Sequence, residues 1–377
     1  MTPARRVLAV SAAASIALAV SACGSDDASS DDVAESASSD APATDDTTAD
    51  DTADGEESET SEDAASDDGA EWTPITIETA LGTATIEEQP ERVATVNWAN
   101  HEVPLALGVV PVGMAAANFG DDDGDGLLPW VTEELEELGA ETPVLFDETD
   151  GIDFEAVADT DPDVILAAYS GLTQEDFDTL SEIAPVVAYP EAAWATPWRE
   201  IIELNSEAMG MAEEGDALIA ELEQQIEDSV AEYPQIEGKS AMFAGHLDPT
   251  DLSEVGFYTS LDTRVQFFED LGLEIADVVA EASEGTDQFS MSQSTEQIQV
   301  FDEVDIIVGY GDENGELIGA LQADPLASKI PALERGSVVF FNGSTPLATA
   351  ANPTPLSLSW VLDDYVAMLA EAADQVE

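Results

Sequence analysis

The 377-residue chain carries 83 acidic against 8 basic side chains, a formal net charge of −75, with 44% hydrophobic but only 6% aromatic residues. A body charged in this way is repelled by nucleic acid and by anionic membrane surfaces, which excludes both as partners held by charge. Its single cysteine, Cys23, excludes intrachain disulfides and cysteine-based metal sites by count.

At the start of the chain, Arg5 and Arg6 precede an uncharged stretch from Val7 to Val20 made mostly of Ala, Val, Leu and Ser. That is the pattern of a signal peptide, and it is shorter than the about 20 apolar residues of a membrane-spanning helix. It leads into Val20-Ser21-Ala22-Cys23, which resembles the bacterial lipobox. The resemblance implies removal of residues 1–22, lipidation of Cys23 and a place on the extracytoplasmic face of the cell membrane. The hydrophobic consensus of twin-arginine export is missing around Arg5-Arg6, so the general secretory route is expected. Residues 23–71 are dominated by Ser, Asp, Ala, Thr and Glu, without an aromatic, Lys or Arg. Such a segment has nothing to bury against the entropy of ordering it, and it reads as a self-repelling acidic tether.

From Trp72 onward, short β-branched runs alternate with amphipathic stretches. Strands are expected at Ile75 to Ile77, Ala84 to Ile86, Arg92 to Val96, Pro111 to Gly113, Val164 to Ala168 and Val186 to Tyr189. Helices are expected at Glu102 to Leu107, Phe154 to Asp159 and Thr173 to Ile183. The alternation predicts an α/β fold. Between Trp198 and Tyr233 the pattern turns wholly helical, broken only near Gly210, and Met211 to Tyr233 predicts a rod about 35 Å long. Past Pro234 the rhythm returns, with strands at Ser240 to Ala244, Asp305 to Gly309 and Val338 to Asn342. Helices are expected there at Thr263 to Leu271, Thr295 to Val300 and Leu356 to Ala372. The expected organisation is an N-terminal α/β lobe at 72–210, a connecting helix at 211–233 and a C-terminal α/β lobe at 234–377.

Ligands of open α/β sheets bind beyond the carboxyl ends of the strands. In the first lobe that rule selects Trp98, Asn100, Trp130, Tyr169, Trp194 and Trp198; in the second it selects Phe257, Tyr258, Arg264, Tyr310 and Asn342. Each aromatic taken alone is as readily a core residue, and Arg264 either meets the ligand or pairs with a neighbouring acid such as Asp262 or Glu269. Asp121, Asp123 and Asp125 followed by Gly126 match the first half of a calcium loop, but the twelfth position, where a bidentate Glu belongs, is Thr132. That leaves weak calcium binding or a solvated acidic loop. With only His101 and His246 in the chain, a bare zinc or manganese site is short of imidazoles. His101 either lines the pocket or is a hydrogen-bonded structural residue. No nucleophile elbow, phosphate loop or zinc motif is present, so no enzyme and no cofactor are expected.

Several segments together resemble the helical-backbone (class III) periplasmic binding proteins of siderophore, haem and cobalamin importers, and most of all the actinobacterial iron-siderophore binding lipoproteins. They are Pro90-Glu91-Arg92-Val93, Ala106 to Gly113, Asp161 to Ile165, Tyr169 to Thr173, Ile183 to Val186, Pro197-Trp198, Leu271-Gly272-Leu273, Ser294-Thr295-Glu296 and Pro355 to Leu358. The resemblance implies two lobes with a ligand between them, a ferric siderophore as cargo and an ABC permease as partner, with the protein acting as a monomer. Cobalamin or haem, the latter through His101 or His246, are alternatives within the same fold, and a surface interaction protein is the alternative outside it. The resemblance further implies that Glu155 and Glu296 dock the two lobes on the permease; read alone, both are acids favoured at helix N-termini.

Overall fold

The computed structural model describes residues 72–245, 247–312 and 314–376. The leader, Cys23 and the acidic stretch to residue 71 lie outside the described residues, as does His246. A hairpin comes first, β1 (Ile75–Glu78) with β2 (Thr83–Ile86), and buries Ile77, Ala84 and Ile86. Five parallel strands follow, β3 (Val93–Thr95), β4 (Gly113–Ala115), β5 (Val144–Phe146), β6 (Val164–Ala167) and β7 (Val186–Ala188), in the order β5-β4-β3-β6-β7. The helices between them are α1 (Glu102–Ala106), α2 (Pro129–Glu137), α3 (Phe154–Asp159) and α4 (Gln174–Leu180). Because successive strand residues face opposite sides, Val164 and Leu166 of β6 enter the main core. Ile165 and Ala167 enter a second one with Val157, Phe177 and Leu180 under α3 and α4.

The motif at 90–92 and the motif at 161–163 clamp each other. Asp163 Oδ2 accepts from the backbone N–H groups of Glu91 and Arg92, both at 2.9 Å, while Arg92 Nε donates to Asp161 O at 2.7 Å and its Nη2 to Thr160 O. Arginine at the C-terminus of α3 thus satisfies carbonyls left over by the helix. β4 begins two residues later than expected, since Pro111 has no N–H for the ladder. Gly113 is needed there, because a Cβ would come within 2.3 Å of the Phe146 ring.

The chain leaves this sheet through α5 (Trp198–Ala208) and α6 (Ala212–Ala231). At 20 residues, α6 is about 30 Å long, and its buried face carries Gly215, Leu222, Ile226 and Ser229. At Gly215 a Cβ would meet Ser206 Oγ at 2.1 Å, so α5 and α6 touch backbone to side chain. Then come β8 (Ser240–Phe243), β9 (Glu254–Tyr258), α7 (Thr263–Asp270), β10 (Glu274–Ile275), α8 (Asp277–Ser283), β11 (Ser290–Ser294) and a 3-10 segment (Thr295–Phe301). The chain continues with β12 (Ile306–Tyr310), α9 (Glu316–Ala323), α10 (Pro331–Arg335), β13 (Val338–Phe341), α11 (Pro346–Ala350) and α12 (Pro355–Ala373). The second parallel sheet has the order β10-β8-β12-β13, and β9 pairs antiparallel with β11 outside it.

Between the sheets the chain crosses once, through α5 and α6, yet α12 is a second tie that the sequence pattern did not reveal. Leu358, Val361, Leu362, Tyr365, Val366 and Leu369 give it a buried stripe, and it packs on α6 as well as on α1 and α2 of the first half. Glu102 of α1, only 1% exposed, fastens it. Its Oε1 accepts from Trp130 Nε1 at 2.8 Å and its Oε2 from Leu356 N at 2.9 Å and Ser357 N at 3.4 Å. Burial pushes this carboxyl above its usual range, while those donors pull it down; a negative charge here also meets the positive end of α12. Among the described residues no helix is long and apolar enough to cross a membrane.

Candidate functional site

The first sheet reverses its winding between β3 and β6, and the loops after those strands open the crevice in which doubly wound sheets bind ligands. After β3, Asn97 and Ala99 take left-handed φ values of 59° and 61°. The bend is fixed by side chains. Asn97 donates through Nδ2 to Glu148 Oε2 at 2.9 Å and through its backbone N to the same oxygen at 3.0 Å, and its Oδ1 accepts from Gly171 N at 3.0 Å. Asn100 is wholly buried, donates to Val96 O and Tyr169 O at 2.9 Å each, and accepts from Tyr169 N at 3.0 Å. Expected as a ligand contact, it is instead the stitch that joins the β3 and β6 loops.

Against this bend lies a cavity of about 220 Å³, walled by Trp98, His101, Met114, Leu127, Glu148 and Trp194 among others. Trp194 also has a left-handed φ of 61°, is 37% exposed and stands edge-on to Tyr169 at 5.4 Å. Gly171 makes room for it, as a Cβ there would lie 2.4 Å from Trp194 Nε1. Of the four non-glycine residues with positive φ among the described residues, Asn97, Ala99 and Trp194 line this pocket. Backbone strain held in one place is a mark of a functional site. Burial lowers the His101 pKa to about 4 and leaves its Nδ1 without a partner, so the imidazole is neutral. Burial also pushes the Glu148 carboxyl up, against the pull of Asn97. No lysine or arginine lines the cavity.

Facing this half across the seam is a cluster around Arg264. Its Nε and Nη2 donate to Asp262 at 2.8 and 2.5 Å, its Nη1 to Tyr310 Oη at 2.9 Å, and its guanidinium lies 3.9 Å from the centre of the Tyr258 ring. A neighbouring acid is thus one partner of Arg264, and it is Asp262, itself fully buried. Burial works against the guanidinium charge, but Asp262 secures it. Tyr169 reaches over the seam, with its Oη 3.5 Å from Thr263 Oγ1 and accepting from Asn352 Nδ2 at 3.2 Å. Beyond the pocket wall, Phe119 meets the Tyr310 ring edge-on at 6.2 Å. The strand-exit rule thus brings Trp98, Tyr169, Trp194, Tyr258, Arg264 and Tyr310 to one seam and its flanking pocket.

Other expected contacts go elsewhere. Trp130 is buried against Trp360 at 5.2 Å, its N–H spent on Glu102, because α2 turns it into the main core. Trp198 is buried too and donates to Asp270 Oδ2 at 3.0 Å, at the far end of α7. Phe257 is a fully buried core residue, and Asn342 is exposed just after β13, beside the exit of β12, and is not among the residues that line the first-half pocket. Glu155 and Glu296 are exposed at the starts of α3 and of the 3-10 segment. The carboxylates of Asp121, Asp123 and Asp125 converge within 4.8 Å, but their oxygens already accept from the backbone of Gly124, Asp125, Gly126 and Leu127. Thr132, at the twelfth position of that loop, is inside α2. The sequence reasoning missed Asn97 and Glu148. An Asn directly after a buried strand was the available signal for the first, since Asn tolerates left-handed φ; Glu148, one acid among 83, offered none.

The arrangement has counterparts among solved structures. The chain is similar to PiaA of Streptococcus pneumoniae TIGR4 in complex with ferrichrome, 41% identical with a TM-score of 0.76 over 80% of this chain and all of that one. A periplasmic solute binding protein from Mycobacterium smegmatis is 26% identical with a TM-score of 0.65, over 80% of this chain and 99% of that one. The probable siderophore-binding lipoprotein YfiY of Bacillus subtilis is 28% identical over 155 residues, 41% of this chain and 44% of the relative. The chain therefore spans less than half of that curated relative. The periplasmic binding protein family profile matches residues 93–344, well over half of the chain, and the chain belongs to that family.

Proposed function

We propose that this protein is the solute-capturing component of an ABC importer, which takes up a ferric siderophore outside the cytoplasm and passes it to the membrane permease. What carries this reading is the strained aromatic pocket beside the Arg264 cluster, in a chain 41% identical to a protein solved with ferrichrome. In this reading 72–210 and 234–377 are the two lobes and 211–233 the connector. Trp98, Tyr169 and Trp194 grip the chelate from one side, and Tyr258, Arg264 and Tyr310 from the other. Flat rings suit its apolar skirt, and guanidinium and phenol groups suit its oxygens. With α6 and α12 both tying the halves, a small closure fits better than a wide hinge. Cys23 would hold the protein to the membrane by lipid, and Glu155 and Glu296 would meet the permease. No bond of the cargo is made or broken.

The test is quenching of intrinsic tryptophan fluorescence by ferric hydroxamates, catecholates and carboxylates. Saturable quenching by ferrichrome is expected; a flat response to the whole panel would refute the reading.

A further inference from the structure

We propose that the first-half pocket is a subsite for a cationic alkylammonium arm of the chelate, with Glu148 as its counter-ion, so that positively charged ferric trihydroxamates bind in preference to neutral or anionic ones. This rests on the ferric-siderophore reading and narrows it. At about 220 Å³, the cavity falls below the roughly 300–1,000 Å³ that encloses a drug-sized ligand. It holds an arm, not a whole chelate. Trp194 lines it and also packs on Tyr169, which touches Thr263 across the seam. An arm lying in the pocket therefore leads back to the surface on which the chelate would rest.

Charge and geometry in the cavity favour a cation. Trp98 and Trp194 present indole rings, whose faces attract ammonium groups. Glu148 is the only acid or base in the lining besides His101, and none of the ion pairs among the described residues involves it. Asn97 orients the carboxylate by hydrogen bonds but brings no positive charge. A half-buried carboxylate without a counter-ion is costly, and an arriving cation removes that cost. His101 is more than nine-tenths buried, and its Nδ1 has no partner. A neutral imidazole has one acceptor nitrogen, a second place for an ammonium N–H. The lining offers an anion no lysine or arginine, and Arg264, at the seam outside it, already shares its charge with Asp262.

The experiment uses the whole protein and three chelates with the same ferric trihydroxamate core: the iron complex of desferrioxamine B, whose terminal amine is free, and its N-acetylated and N-succinylated forms. They are cationic, neutral and anionic. The affinity order is expected to follow charge, with the free amine about tenfold tighter than the acetylated form. E148Q is expected to bring that ratio close to one, while E148D, which keeps the charge, retains it. Equal affinity for the amine and acetylated forms, or an undiminished ratio in E148Q, would overturn the charge preference alone. Failure of all three to bind would overturn the subsite proposal, and ferrichrome titrated into the same sample separates the two readings: quenching by it leaves the siderophore reading standing.

Discussion

His101 shows how one buried side chain couples the pocket to acidity. With its pKa lowered from 6.5 to about 4 by burial, the folded protein binds fewer protons than the unfolded chain between those values. Stability is therefore unaffected by this residue above pH 6.5 and falls as the medium is acidified towards pH 4, by roughly 3 kcal/mol at the lower limit. Urea denaturation at pH 7 and at pH 4 should show H101Q losing less than the parent by about that amount. An equal loss in both would mean that the histidine is solvated. Side-chain identity at the site was legible where chemistry is scarce: Trp, Tyr and Arg are few in this chain, and strand-exit position picked out Trp98 and Trp194, though Trp130 and Trp198 came with them. It was illegible where a residue's partner decides its role, as with Asn100, Trp130 and Trp198, whose polar atoms are spent on Tyr169, Glu102 and Asp270.

At the level of elements, α5 and α6 depend on a close approach at Gly215. In an exposed helix, Gly→Ala would raise helix stability by about 1 kcal/mol. Here the new Cβ would fall 2.1 Å from Ser206 Oγ and 2.7 Å from its Cβ, and overpacking costs about 1–3 kcal/mol. G215A is therefore expected to lower the melting temperature, and a rise would show that the two helices have room to spare. Long periodic elements such as α6 and α12, and all-apolar strands such as β6, could be read from pattern alone. β5 could not, with three residues and an exposed Val144. Nor could β11, whose Ser-Met-Ser-Gln-Ser sequence makes a strand only because β9 offers it an edge.

For the molecule as a whole, Glu155 and Glu296 stand exposed, one on each half. If they are the permease contacts, reversing both to Lys should abolish uptake of ferric siderophore by cells while leaving affinity for the chelate in solution as it was. Uptake at the parental rate in the double variant would refute the assignment. In a chain of net charge −75, these two would act by position, not by charge alone, so reversal of two other exposed acids is the matching control.

The fastening of α12 by Glu102 joins residues 254 positions apart, and loop closure over such a span must be met before the contact returns anything. During synthesis the first sheet emerges long before the helix that braces it, and the brace can form only after the entire second sheet has been made. Until that late step the half made first stands without its lock.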